Sequence, residues 1–245
     1  MRVEGLEYGQ ARDIVDNWDG PVVPRSRAHG RPEEDARRTA YALTWWDAAK
    51  PIQGTLAARY LAETRGIDLD ALPDNVDDAL RFHPTCVFGP GTRHPCLLAL
   101  MRNPVSDAPT GIQRIALTLD AQKIDRMMLG PAGVVKLWPA SHLLVIGEGL
   151  ETTLAAATRL DYRGGPLRPA WAALSDGAME QFPLIDGVER LILLADNDTN
   201  NAGQIAAEAC KRRWLGLGRR VALLMPDRPG TDFNNIVLDN LERAP

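Results

Sequence analysis

Cysteine is scarce in this chain. Cys86, Cys96 and Cys210 are the full complement in 245 residues, widely spaced and without a Cys-x-x-Cys pair. A zinc ribbon and a disulfide framework are therefore excluded, and no zinc is expected. Cys210 falls in a helical pattern and reads as a core thiol. The dipeptide Gly-Lys is absent altogether, so there is no P-loop and no ATP-driven helicase in this chain. No apolar run approaches the ~18 residues needed to span a bilayer. Met1-Arg2-Val3-Glu4 lacks the apolar core of a signal peptide. A cytoplasmic protein without membrane contact is the expectation. Strong charge of one sign is missing too. The net charge of −4 gives no global basic field to announce a nucleic-acid partner, so such binding would need a local patch.

What remains is an ordinary globular composition, 45% hydrophobic and 24% charged, in a chain long enough for one large domain or two small ones. No internal repeat is visible. The pattern predicts a short helix and a basic, Pro-containing loop before residue 32. A helix is predicted over 33–50, with Glu33, Glu34 and Asp35 favoured by its dipole. A second helix over 54–66 has Thr55 as cap and Gly66 as stop. Trp45 and Trp46 read as helix-packing aromatics. A polar linker over 74–78 follows. From Leu80 short strands are predicted at 81–84, 96–101, 111–117 and 123–127, with a hairpin loop over 103–111. From 141 onward strands and helices alternate, which implies a parallel sheet with helices on both faces.

Two apolar runs in that second half end in carboxylates. Leu143-Leu144-Val145-Ile146-Gly147 leads into Glu148-Gly149, and Leu191-Ile192-Leu193-Leu194-Ala195 leads into Asp196-Asn197-Asp198. Such runs read as strands buried on both faces. Ligands of open α/β sheets bind at the carboxyl ends of strands. Glu148, Asp196 and Asp198 would meet there and repel unless a cation lies between them. An all-oxygen set suits a hard ion such as Mg²⁺ or Mn²⁺. Asp232, after a fourth strand at 220–225, lies at the same edge. It is either a further acid of the site or the cap of the last helix. Gly149 removes a side chain where a phosphate could approach, or is a plain strand-to-helix turn. Glu151, one turn into the helix, either lines the site or only answers the helix dipole.

The paired Glu-Gly and Asp-x-Asp, each on a strand end about 50 residues apart, resemble the Toprim domain of bacterial-type primases, topoisomerases and some nucleases. The resemblance covers roughly 141–240. It implies catalytic and metal-binding roles for Glu148, Asp196 and Asp198, with Asp232 as a further metal ligand. It leads one to expect an acid where Asn235 stands. It also implies an α/β fold: a Toprim-like parallel sheet with helices on both faces, preceded by a small α+β subdomain. The division expected is 1–79 as an N-terminal helical region, 80–140 as a basic mixed subdomain and 141–245 as the Toprim domain. Residues 81–140 carry seven Lys or Arg against three Asp. Arg114, Lys123, Arg126 and Lys136 are the expected nucleic-acid or nucleotide contacts, while His83 and His94 read as loop structure.

The run as a whole resembles Toprim proteins of phages and mobile elements. It implies a primase-like, metal-dependent nucleotidyltransferase that extends a 3′-hydroxyl with NTPs on a single-stranded DNA template. One form of this reading is a split system, with a separate helicase or zinc-ribbon protein as partner. Two alternatives stand beside it: a Toprim nuclease, and a non-catalytic DNA- or nucleotide-binding replication accessory.

Overall fold

The computed structural model describes residues 32–72, 76–199 and 201–243. The helix and loop expected before residue 32, and part of the linker expected over 74–78, lie outside the described residues. The first described helix, α1 (Pro32–Asp47), starts on Pro32 with three acids in its first turn and buries Ala42 and Trp46. Proline costs nothing at a first helical position, where its missing N–H has no partner to lose. After the two-residue strand β1 (Lys50–Pro51) comes α2 (Leu56–Arg65). Thr55 caps it by accepting the Ala58 N–H, and Gly66 ends it at φ 66°. That left-handed turn is one a side chain would resist.

An antiparallel meander follows: β2 (Leu80–Gly89), β3 (Thr92–Arg102), β4 (Pro109–Leu117) and β5 (Lys123–Leu129). These strands run longer than expected, because pairing continues toward the turns: β2 reaches Gly89, β3 starts at Thr92 and β5 reaches Leu129. β4 accordingly begins at Pro109, inside the loop expected over 103–111. Next come β6 (Val134–Lys136), β7 (Leu143–Gly147), α3 (Leu150–Arg159), a small hairpin of β8 (Asp161–Tyr162) and β9 (Gly165–Pro166), and β10 (Ala170–Ala172). The chain closes with α4 (Asp176–Glu180), β11 (Arg190–Leu194), α5 (Ala202–Gly216), β12 (Arg220–Leu224) and α6 (Phe233–Arg243).

β10, β7, β11 and β12 are parallel neighbours in that order. β6 pairs antiparallel with both β10 and β3, and so welds the parallel part to the meander. The product is one ten-stranded sheet. The basic region before residue 140 and the acidic region after it are therefore halves of the same sheet.

Side-chain alternation distributes the core to both faces. Val145, Ile192 and Leu194 join Leu97 and Ile115 of the meander under α2, α3 and α6, with Leu61, Leu154 and Val237 packed on them. Leu144, Ile146, Leu191 and Leu193 face α4 and α5 through Met179, Cys210 and Trp214. On the meander, Cys86, Cys96, Leu98 and Ile112 face Ala42 and Trp46 of α1. Cover on both sides explains why the parallel strands read as unbroken apolar runs. Each fully buried Leu or Ile contributes roughly 1.5–3 kcal/mol. No helix among the described residues is long and apolar enough to cross a membrane.

Candidate metal centre

β7 and β11 lie side by side with Gly147 opposite Leu194. Glu148 follows the first and Asp196 follows the second after one residue, so both carboxylates emerge at the same sheet edge. Beyond Ala195 the chain stays extended, and alternate residues point to opposite sides. Asn197 turns inward and is buried. Its amide donates to Pro226 O at 2.8 Å, its N–H to Thr231 O at 3.0 Å, and its Oδ1 accepts from Gln204. Asp196 and Asp198 are left to the other side. The central Asn is thus a clamp that fixes the pair and holds the 226–231 loop next to it.

That loop delivers Asp232. Its Oδ1 accepts the Asn235 N–H at 2.8 Å, and Asn235 Oδ1 accepts the Asp232 N–H at 2.9 Å. This reciprocal pair is a capping box, the device that satisfies free N–H groups at a helix start. Asn235, where an acid was expected, spends its side chain on the cap. The other Asp232 oxygen accepts from Thr152 Oγ1 at 3.5 Å, and its charge acts on Asp196.

A fifth acid joins the cluster. Asp176 opens α4 after β10, and its charge raises the pKa of both Glu148 and Asp196. It gets there through Leu174, a buried leucine held at φ 70°. A left-handed leucine is strained, and such residues gather at functional sites. Sequence reading passed over Asp176. The available signal was the same one, an apolar run (170–174) ending in a carboxylate, but without a paired motif.

Burial, and then the charges of Asp176, Asp196 and Asp198, push the Glu148 carboxyl up to about 8. Burial, Asp232, Asp198 and Asp176 push Asp196 up to about 7, against the pull of Arg126. Glu148 Oε2, Asp176 Oδ1 and Asp196 Oδ1 are buried without a hydrogen-bond partner among the described residues. In its protonated form Glu148 can donate to the Asp176 side chain. Orphaned carboxylate oxygens fit a hard, oxygen-ligated divalent cation. Gly203 of α5 keeps the space open, since a Cβ there would lie 2.6 Å from Glu148 Oε2. The acids do not stand as a closed ligand set: among the described residues no three His, Cys, Asp or Glu side chains form a group that could hold a metal ion. Like charges oppose that closer approach.

The expected cations divide. Arg126 is exposed on β5, and its charge acts on Asp196. Lys123 bonds both oxygens of Glu151, at 3.1 and 2.9 Å. Burial would raise the Glu151 carboxyl, but Lys123, the Tyr60 hydroxyl and Arg65 outweigh it and hold it below the ordinary range. Gly149 is the uncapped start of α3. Arg114 is placed elsewhere. It is only 4% exposed, on the face under α1, and its guanidinium donates to Val87 O at 2.5 Å and Met128 O at 3.2 Å. Lys136 lies apart as well, with Nζ 2.8 Å from Asp107 and 4.3 Å from the centre of the Trp171 ring. Neither has a free charge to give a phosphate at the acidic edge. His83 receives the Thr85 N–H and meets the Trp45 ring, a structural setting.

Comparison with known proteins agrees with this arrangement. Residues 36–136 match a family described as a domain of unknown function (DUF7146). No curated protein and no solved structure matches the chain. Residues 143–242 match the family described as the Toprim domain, a metal-binding fold of primases, nucleases and topoisomerases. With Glu148 and Asp196 on neighbouring parallel strand ends inside that span, residues 143–242 are a Toprim domain.

Proposed function

We propose that this protein is a primase-like, metal-dependent nucleotidyltransferase acting on single-stranded DNA, in the replication of a phage or mobile element. The observation that carries the reading is the convergence of Glu148, Asp176, Asp196, Asp198 and Asp232 on one sheet edge, with orphaned oxygens, beside Arg126. Glu148, Asp196 and Asp198 would hold the cation, with Asp176 and Asp232 adding negative charge around it. Bound Mg²⁺ or Mn²⁺ would neutralise charge on the transferring phosphoryl group. Arg126 would bind a phosphate of the strand or the incoming NTP. The 3′-hydroxyl would lose its proton to water as its oxygen bonds to the α-phosphorus and the bond to pyrophosphate breaks. Template selection and strand opening would fall to a separate zinc-ribbon protein or helicase.

The test is incubation of the protein with single-stranded DNA, labelled NTPs and Mg²⁺ or Mn²⁺, with and without EDTA. New labelled strands that vanish with EDTA are the expected result. Shortening of the input DNA without synthesis would replace this reading with a nuclease. Binding without either product, under every metal and template, would make the protein an accessory.

Gly203→Ala offers a finer check. The added methyl would push Glu148 out of the cluster at its flexible end. Mn²⁺ affinity, measured by calorimetric titration, should fall by roughly tenfold, as it does when groups that orient ligands are disturbed. An unchanged affinity would take Glu148 out of the ligand set.

A further inference from the structure

β5 carries Arg126 and has a strand on one side alone. Among the described residues it pairs with β4 alone, and its five central residues are exposed. Its far end is held by Arg114 at Met128 O and by Arg38 at Gly130 O, 3.3 Å away, while the attachment of its near end converges on one buried carboxylate. Lys123 Nζ, at the start of β5, bonds both Glu151 oxygens. Arg65 Nη2, at the end of α2, lies 3.1 Å from Glu151 Oε1. The Tyr60 hydroxyl donates to that same oxygen and accepts from Arg65 Nε at 2.8 Å. Two further bonds from α2 hold the turn that enters β5. Arg59 donates to Leu119 O at 2.8 Å, and Thr64 Oγ1 donates to Ala121 O at 3.2 Å.

The linkage continues toward the acids. Asn234 Nδ2 donates to Arg65 O at 2.6 Å, and Arg65 Nη1 donates to Asn234 Oδ1 at 3.4 Å. Asn234 lies two residues after Asp232, whose charge also acts on Arg65. One carboxylate therefore joins α2, β5 and α3, and α2 extends the tie to α6. Glu151 has a side chain only 12% exposed and three donors upon it. It has little capacity left for a cation, and Lys123 has little left for a phosphate.

We propose that Glu151, with Lys123, Arg65 and Tyr60, is a latch that locks β5 onto the Toprim helix α3 and so sets Arg126 against the acids. Glu151 and Lys123 are then positioning residues that act through Arg126. The functional part of this inference rests on the reading that Arg126 binds phosphate.

The test uses the full chain and a labelled oligo-dT in Mg²⁺, followed by fluorescence anisotropy over a range of salt. Lys123→Met cuts the latch at nearly constant length. Lys123→Met and Arg126→Ala should each weaken binding by about tenfold, and the double variant should be no more than about twofold weaker than Arg126→Ala, because coupled residues are not additive. Each variant should lower the salt slope by about 0.7, the share of one single-strand phosphate contact, and the double by no more. Lys123→Arg, which restores a charge-assisted bond to Glu151, should bind within about twofold of wild type. Losses that multiply in the double variant, with two contacts gone from the salt slope, would make Lys123 an independent phosphate ligand and overturn the latch.

A second measurement does not depend on DNA. Amide hydrogen exchange over 123–129 should accelerate by about tenfold or more in Lys123→Met, while that over 143–147 stays at the wild-type rate. Unchanged exchange over 123–129 overturns the latch. Accelerated exchange in a protein whose wild type binds no DNA supports the latch and overturns the phosphate role of Arg126.

Discussion

The Glu148→Gln protein will incorporate no measurable nucleotide, and in EDTA at pH 8 it will melt above the wild type. Both effects have one cause. Glu148 emerges at a strand end with Asp176, Asp196 and Asp198 acting on it, and burial with those charges pushes its carboxyl up to about 8. Gln keeps the size and removes the charge. On the proposed reading the cluster loses a ligand for the cation, and loss of one preorganised electrostatic group costs about a hundredfold to a thousandfold in rate. The same change relieves repulsion in the metal-free fold, and the new amide can donate to the orphaned Asp176 Oδ1. Incorporation assays and thermal melts on one preparation check both halves. A variant as active as wild type would remove Glu148 from the mechanism. A variant that melts lower in EDTA would mean that the carboxylate is a structural hydrogen-bond partner.

The strand-end acids are the part of this cluster that the sequence makes legible. Strands that end in carboxylates are legible because two independent patterns coincide: a run apolar at every position, and a charge that cannot follow it into the core. That coincidence locates Glu148, Asp196 and Asp198 at adjacent strand ends. Helix signals are legible for similar reasons of local chemistry, as with Thr55 and Gly66 at the two ends of α2. Asp176 is harder. β10 has three residues, and the left-handed Leu174 that turns the chain into the site has no composition signal, since leucine rarely adopts that conformation.

The basic residues show a different limit. In 111–117 every residue is buried, so the apolar pattern does not say which face is which. Arg114 shares a face with Ile112 and Ala116, under α1, while Ile115 and Leu117 belong to the opposite core. A shift in pairing between Ala116 and Leu117 then changes the register by which Lys123 meets its neighbours. A one-residue shift reverses the face of a strand residue. Four cations close in sequence therefore end in three places: Arg114 against backbone carbonyls, Lys136 against Asp107 and Trp171, and Lys123 and Arg126 beside the acids.

The metal-free protein will lose stability as pH rises from about 5 to 8, and Mg²⁺ will restore it most at the alkaline end. Unfolded, Glu148 and Asp196 titrate near 4.5 and 3.8; folded, they titrate near 8 and 7. Between those limits the folded state binds more protons than the unfolded one, so stability falls with rising pH. Below the unfolded values both states are protonated and the penalty is absent. Above pH 8 it is fully present. Two groups work in the other direction in acid. Glu151 sits below its ordinary value because, although burial would raise it, Lys123, Tyr60 and Arg65 prevail, so its contribution is lost as pH falls through that depressed value. Burial and Arg93 hold His83 below its usual value, so folding disfavours its protonation as well. Metal-free protein should consequently be most stable in mildly acid solution. A divalent cation takes the place of the protons, and its stabilising effect should vanish near pH 5, where protons already neutralise the acids. Melting temperatures at several pH values, each with EDTA and with Mg²⁺, check this, with each 1 kcal/mol read as roughly 2–4 °C for a chain of this size. Glu148→Gln should flatten the alkaline limb in EDTA. A metal-free melting temperature that climbs steadily from pH 5 to 8 would mean that the carboxylates are not repelling one another, and the case for a shared cation would fall with it.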